Sequence, residues 1–388
     1  MTDFTIRKEI SFDDVRKLFP VSETCVYLDS AHYSQYSVLT KEKLEDFINR
    51  FTYSNFNLSI FNNEISGRIR AKSAKLINAD RENMIITSST SHGLNILANG
   101  LELKAGDKVA YADTEFPAVV YPWMNRERLR GIVNVRIPSV NGKIDIQDIE
   151  KVLFENDVKV LTISSVGFLG FRSDLKTVSG LCKKYGVILA VDAIQSAGIV
   201  PVDVKELDID YLATGGQKWL MSPAGAGFAY ISPRIRDIVN PTYVSTTNVN
   251  YIFKKFLDYK LDLKTDGSAY ENSTPNTLGL IGLESTLDLF MFIGVEKIFR
   301  HITGLLGYFA DEMKDNHYFY IESDLSEEHK SNILIFSHQD FSRNPAVQIE
   351  LEKKNIFIAI REGFLRLSPH IFNNRKDIDK LLSALKGF

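Results

Sequence analysis

A lysine set among apolar residues and tight turns is the first candidate for chemistry. Lys218 stands between Gly215-Gly216 and a Gly/Pro-rich turn, beside Trp219, in DYLATGGQKWLMSPAGAGFAYI (210–231). Lysine is ordinarily a surface cation. A desolvated lysine has a lowered pKa and can act as a Schiff-base nucleophile. The second candidate is Asp192, which follows an apolar run in GVILAVDAIQSAG (186–198). In the plainer reading it closes a turn or caps a helix. In the functional one it is a carboxylate held where open α/β sheets bind ligands. A buried aspartate needs a cationic partner, and a protonated pyridine nitrogen would serve. The third stretch, SSTSHGLN (88–95), joins a strand pattern to a helix pattern. Its N–H groups and hydroxyls suit a phosphate, helped by the helix dipole, and equally suit a plain N-cap.

The elements around these residues follow a regular order. Strand patterns at NMIITSS, DKVAYAD, VNVRIPS, VKVLTISSV and VILAVDA alternate with helical patterns, and DYLATGG and GFAYISP follow. Such alternation predicts a mostly parallel sheet with crossover helices, an α/β fold. The apolar strand runs fit burial on both faces. Upstream, CVYLDSA (25–31) reads as a strand, and 41–51 and 64–77 as helices. After residue 282 a long helical stretch (286–313), strands near SNILIFSH, NIFIAI and LRLSPH, and a terminal helix predict a smaller α+β domain. The expected organisation is an N-terminal segment packing with the small domain (1–20), a large domain (21–282) and a small C-terminal domain (283–388). Segment 240–275 is rich in Tyr, Thr and Asn and has no clear period.

Composition narrows the function classes. A chain of 388 residues holds two or three domains. Lys and Arg number 46 against 49 Asp and Glu, a net charge of −3, so no broad basic field for nucleic acid exists. Cys25 and Cys182 are the only cysteines. They make neither a disulfide framework nor a CxxC metal site, and they fit a reducing cytoplasm. The seven histidines are scattered without an HExxH, which argues against a metal-centred mechanism. The N-terminus carries charges and does not read as a secretory signal, and apolar runs fall short of the ~20 residues of a membrane helix. A dinucleotide-binding dehydrogenase is disfavoured as well. No GxGxxG opens a helix after a strand, and the GAG at 225–227 leads into an apparent strand.

Taken in order, VDAIQSAG, GGQKWL and ENSTPNT (271–277) resemble the class V aminotransferase family of pyridoxal-phosphate enzymes, which also holds cysteine desulfurases and isopenicillin-N-epimerase-like proteins. The resemblance runs from YLDSA (27–31) to RLSPHIFN (366–373). It implies a fold type I PLP-dependent transferase, the cofactor pyridoxal 5'-phosphate, and a homodimer. It implies that Lys218 carries the cofactor as a Schiff base and then moves protons at the substrate α-carbon. Asp192 would keep the pyridine nitrogen protonated, and Gln195 would face the phenolic oxygen. Thr90 and Ser91 match phosphate-binding positions. Gln217 stands where desulfurases often carry a histidine near the phosphate, and Thr274 resembles a residue reaching the phosphate of the neighbouring subunit. Phe116, in DTEFPAVVYPW, falls at the position that stacks on the cofactor, where desulfurases use histidine. Arg361 would grip the substrate α-carboxylate, Arg366 is assigned to structure, and Ser165 and His32 are expected to line the pocket.

The chain departs from the desulfurase pattern at one place. Only Glu362, Gly363, Phe364 and Leu365 separate Arg361 from Arg366, with no cysteine and no long loop. Persulfide chemistry needs an accessible thiolate. The expected activity is therefore a class V aminotransferase working through Lys218. The alternative is an amino-acid epimerase or a C–S/C–N lyase on the same scaffold, not a desulfurase with a nucleophilic cysteine loop.

Overall fold

The computed structural model describes residues 10–250 and 257–388. In chain order its strands are β1 (Val26–Tyr27), β2 (Met84–Thr87), β3 (Lys108–Ala112), β4 (Val133–Ile137), β5 (Val158–Ser164), β6 (Ile188–Asp192), β7 (Tyr211–Gly215) and β8 (Gly227–Ile231). They continue with β9 (Phe319–Ile321), β10 (Leu334–His338), β11 (Ile356–Phe357), β12 (Ala359–Arg361) and β13 (Phe364–Leu367). A seven-stranded sheet takes the order β2-β8-β7-β6-β5-β3-β4. Only β8 runs antiparallel to its neighbours. The other pairings are parallel. The strands β5, β6 and β7 are almost wholly buried, as their unbroken apolar runs require.

Alternate residues of these strands feed two cores. Val160, Ala190, Tyr211 and Ala213 face the helices Thr90–Gly100 and Pro117–Arg130. Leu161, Leu189, Val191 and Leu212 face the other side, where Ile65, Val178 and Leu283 come from the helices Leu58–Leu76, Leu175–Tyr185 and Thr277–Ile293. This is period-two alternation with both faces covered. The parallel strands end on one edge of the sheet, so Thr87, Ser164, Asp192 and Gly215 come together there.

The small domain holds an antiparallel sheet of order β12-β13-β10-β9. CVYLDSA, expected as a strand, is one only at Val26–Tyr27, which pair in parallel with Ile356–Phe357. Its remainder stays extended along the seam, where Ser368 N–H donates to Leu28 O at 2.8 Å and Ser30 N–H to Ser368 O at 3.1 Å. Before it, Arg16 pairs with Asp377 at 2.6 Å and Phe12 stacks on His301 at 3.7 Å. Residues 1–9 of the expected N-terminal segment lie outside the described residues. The helical stretch expected at 286–313 is two helices, Thr277–Ile293 and Val295–Glu312, meeting at 85°. Gly294 separates them at φ 93°, which an α-helix does not accept. The expected boundary at 282 falls inside the first helix, which packs on the large domain, and the chain turns at Gly294 instead. Among the described residues no single helix is long and apolar enough to cross a membrane.

Candidate active site

Asp192 closes β6 and is 1 % exposed. Its Oδ1 accepts the Ile194 N–H at 2.8 Å. Among the described residues no cation lies within ion-pair distance of it. Burial raises its carboxyl to about 6, against the pull of the nearby Lys218 charge. Lys218 follows β7 in a tight turn, where Ser222 N–H returns to Gly216 O at 2.9 Å. Burial lowers its amine to about 8. Asp192 opposes that shift, and Arg366 and Arg361 add to it. The nitrogen lies 5.6 Å from the centre of the Phe116 ring. Phe116 is 46 % exposed and meets Phe168 edge-on at 6.0 Å. The result is a floor carboxylate, an amine of reduced basicity and a partly uncovered aromatic ring around one space.

The floor is braced from several sides. Trp219 Nε1 donates to Gln195 Oε1 at 2.6 Å, and Gln195 Nε2 donates to Ala31 O at 3.1 Å. Gln195, expected to face the cofactor, thus uses both ends of its amide inside the protein. Ser165, expected to line the pocket, is 3 % exposed, and its N–H and hydroxyl both donate to Asp192 O. His370 is fully buried, and burial lowers it to about 3, so it is neutral. Its Nδ1 accepts from Ile371 N–H, which leaves Nε2–H to donate to Trp219 O at 3.0 Å. The small domain thereby holds the residue next to Lys218.

The helix Thr90–Gly100 begins at this edge, and Tyr211 O–H donates to Gly93 O at 2.6 Å to hold it against β7. Ser89 caps it: Oγ accepts His92 N–H and the carbonyl accepts Gly93 N–H. The N–H groups of Thr90 and Ser91, first in the helix, have no intrahelical acceptor. Thr90 Oγ1 is enclosed without a partner. A Cβ added to Gly215 would lie 2.5 Å from Gln217 Oε1 and 3.1 Å from Thr90 Oγ1. Thr90, Gln217 and the bare backbone of Gly215 thus share one small space. These are the features of an anion cradle, and a phosphate fits its donors. Ser91 is exposed and offers its backbone, and Thr274 is exposed on the loop before the helix Thr277–Ile293.

The rim toward the small domain carries two arginines. Arg366, assigned to structure from the sequence, is among the largest fully buried side chains. It donates from Nη1 to Phe168 O at 3.1 Å and from Nη2 to Asp29 Oδ1 at 3.3 Å, while its Nε is enclosed without a partner. Burial and the charge of Arg361 lower it to about 10. Arg361 is half-buried and donates to Ile360 O at 2.7 Å. Two neighbouring guanidinium groups, one with an unused donor, invite an anion. Asp29 also faces His32 Nδ1 at 3.4 Å, and the exposed His32 sits at the mouth of the same loop. The Arg361 and Arg366 strands join through Glu362 and Gly363, both at positive φ, the two-residue hairpin geometry. Cys182 is buried with its thiol raised to about 12, and burial raises Cys25 as well, so neither is a ready thiolate.

Sequence patterns pass over Asp29, although it stands in the quoted YLDSA motif, and give Arg366, in RLSPH, a structural role only. They also pass over Glu115, which accepts the Ser164 N–H at 2.7 Å and has only its place in DTEFP to mark it.

Known proteins resemble this chain over nearly its whole length. The family model described as "Aminotransferase class-V" matches residues 26–381. The "Probable cysteine desulfurase" of Borreliella burgdorferi is 26% identical, over 96% of this chain and 95% of that one. An uncharacterized aminotransferase of Bacillus subtilis is also 26% identical, over 94% and 95%. The apo structure of a cysteine desulfurase from Thermococcus onnurineus superposes with a TM-score of 0.87 at 24% identity, covering 97% of this chain and 98% of that one. With its mostly parallel sheet and with Lys218 and the buried Asp192 at the edge of that sheet, the chain belongs to the class V aminotransferase family of fold type I, pyridoxal-phosphate-dependent enzymes.

Proposed function

We propose that the protein transfers the amino group of a small-molecule α-amino acid to a 2-oxo acid. The observation that carries this reading is Lys218, an amine of lowered basicity between the Asp192 floor and the Phe116 ring, with Arg366 and Arg361 on one side. Pyridoxal 5'-phosphate, when bound, supplies a reactive carbonyl and an electron-withdrawing ring that stabilises negative charge at the substrate α-carbon. Lys218 would hold it covalently. Asp192, a buried carboxylate in need of a cation, would pair with the ring nitrogen. Phe116 would cover the ring, and Thr90, the N–H groups of Thr90 and Ser91, and Gln217 would hold the phosphate. Gln195 supports this site by fixing Trp219 and the Ala31 turn.

The chain's own work in the reaction is positioning and proton transfer. Arg366, with its unused Nε, and Arg361 bind the α-carboxylate. His32 and Asp29 border the side chain of the substrate. Once the substrate's amino group has displaced Lys218, its freed Nζ would take the proton from the α-carbon, and its lowered basicity leaves more of the unprotonated amine available near neutral pH. Thr274, exposed in the single chain, is assigned to the phosphate of a partner subunit in a homodimer. The two unpaired cysteines support the expected cytoplasmic setting.

A second reading, a C–S or C–N lyase or an epimerase, is favoured by the desulfurase description of the Borreliella relative. Neither cysteine of this chain is a ready thiolate to receive sulfur. The test is to incubate the holoenzyme with single amino acids and no 2-oxo acid. An aminotransferase yields one equivalent of 2-oxo acid per site and stops until an acceptor is added. Continued turnover without an acceptor would replace the first reading by the second.

A further inference from the structure

Glu115 takes no part in the proposed chemistry, yet both of its carboxylate oxygens make short contacts at the edge of the site. Its Oε1 accepts the Ser164 N–H at 2.7 Å, and its Oε2 accepts the Ser164 O–H at 2.5 Å. Ser164 is the last residue of β5 and the register partner of Asp192. Its carbonyl accepts the Ser173 hydroxyl at 2.8 Å, and the next residue, Ser165, donates to Asp192 O at 3.0 Å. On the other side Glu115 is bonded directly to Phe116. The helix that begins there has no side-chain cap, so no side chain of its own N-cap fixes this turn. A half-buried carboxylate is a costly way to close a turn, and here it stands near a second one, Asp192.

We propose that Glu115 is a positioning residue that clamps the Phe116 turn to the end of β5 and so sets the ring at a fixed height above the Asp192 floor. The two walls of the slot, one aromatic and one carboxylate, are then joined through a single Glu115–Ser164 pair. This inference rests on the reading of that slot as the cofactor site.

The test is a double-mutant cycle on cofactor affinity, measured by titrating the apoprotein with pyridoxal 5'-phosphate, with the absorbance maximum of the bound form as a second readout. Phe116→Ala is expected to weaken binding by about tenfold, the scale of one aromatic contact. Glu115→Ala should weaken it equally and move the absorbance maximum in the same direction. The double variant should be no worse than either single one, because both remove the same contact. Glu115→Gln keeps an acceptor for Ser164 N–H and should restore most of the affinity. Ser164→Ala, which removes one of the two hydrogen bonds, serves if Glu115→Ala does not fold. It should give a smaller loss that disappears in the Phe116→Ala background. Additive losses of about a hundredfold in the double variant, or wild-type affinity in both Glu115→Ala and Ser164→Ala, would overturn the clamp while leaving the cofactor site intact. Failure of the wild-type apoprotein to bind the cofactor would overturn both.

Discussion

The floor and the rim of the site are built differently. Asp192, Gln195, Trp219 and His370 are all no more than 2 % exposed and are joined by backbone and side-chain hydrogen bonds to both domains. Phe116, His32 and Arg361 stand partly open at the rim. A buried, cross-braced floor defines one chemistry and tolerates little change. An open rim decides which molecule receives that chemistry and can vary without disturbing the fold.

Replacing floor and rim residues should therefore give effects of different kind as well as size. Lys218→Ala is the largest: kcat is expected to fall by about 10³-fold or more, the scale of a lost general base together with a lost covalent anchor. Activity near wild type in steady-state assays would remove the floor from the chemistry. At the rim, Arg366→Lys should raise KM by about 10- to 100-fold, since a charged hydrogen bond is worth about 1.5–3 kcal/mol. Arg361→Lys should raise it less, because its guanidinium is half-open to solvent. The reverse order would make Arg361 the main anchor, as the sequence alone suggests. A smaller effect is expected of Thr274→Ala, a several-fold faster loss of cofactor on dialysis. In hybrid dimers of that variant with Lys218→Ala, the one working site should regain the wild-type rate of cofactor loss. Hybrids, demonstrated by mass spectrometry, that lose cofactor as fast as the Thr274→Ala dimer would confine Thr274 to its own chain.

The smallest expected effect concerns pH. Burial lifts Asp192 from 3.8 to about 6 and Glu115 from 4.5 to about 7. The folded state then binds these protons more tightly than the unfolded one. Their stabilising contribution is complete below the unfolded values and is lost as pH rises through the folded ones. The Tm of the apoprotein should fall by a few degrees between about pH 4.5 and pH 7. Glu115→Gln should flatten the upper part of that fall in a calorimetric series. An unchanged slope would place the Glu115 carboxyl in a wetter setting than the structure gives it.

The floor was legible in the sequence because its cause is local. An aspartate at the end of ILAVD and a lysine in a glycine turn announce themselves by type and neighbours. The alternation of strands and helices placed both at one sheet edge. The rim was less legible because its contacts join residues far apart in the chain. Arg366 meets Asp29 across 337 positions and Glu115 meets Ser164 across 49. For Gln195 the family resemblance implies a place facing the cofactor, whereas its bond with Trp219 is a matter of tertiary packing that the sequence does not display. The turn at Gly294 was missed because the apolar pattern continues on either side of it, and only its φ separates the two helices.

The Glu362–Gly363 hairpin gives the scaffold room to evolve. It joins two paired strands at the rim, away from the braced floor, and is held by Asn344 donating to Gly363 O at 2.9 Å. Lengthening such a connection costs only about 0.6 kcal/mol for each doubling in loop length. Insertions at this point could carry a new reactive side chain to the substrate while the strands below keep their register. A few codons at one turn would then be enough to try a different chemistry on an unchanged catalytic base.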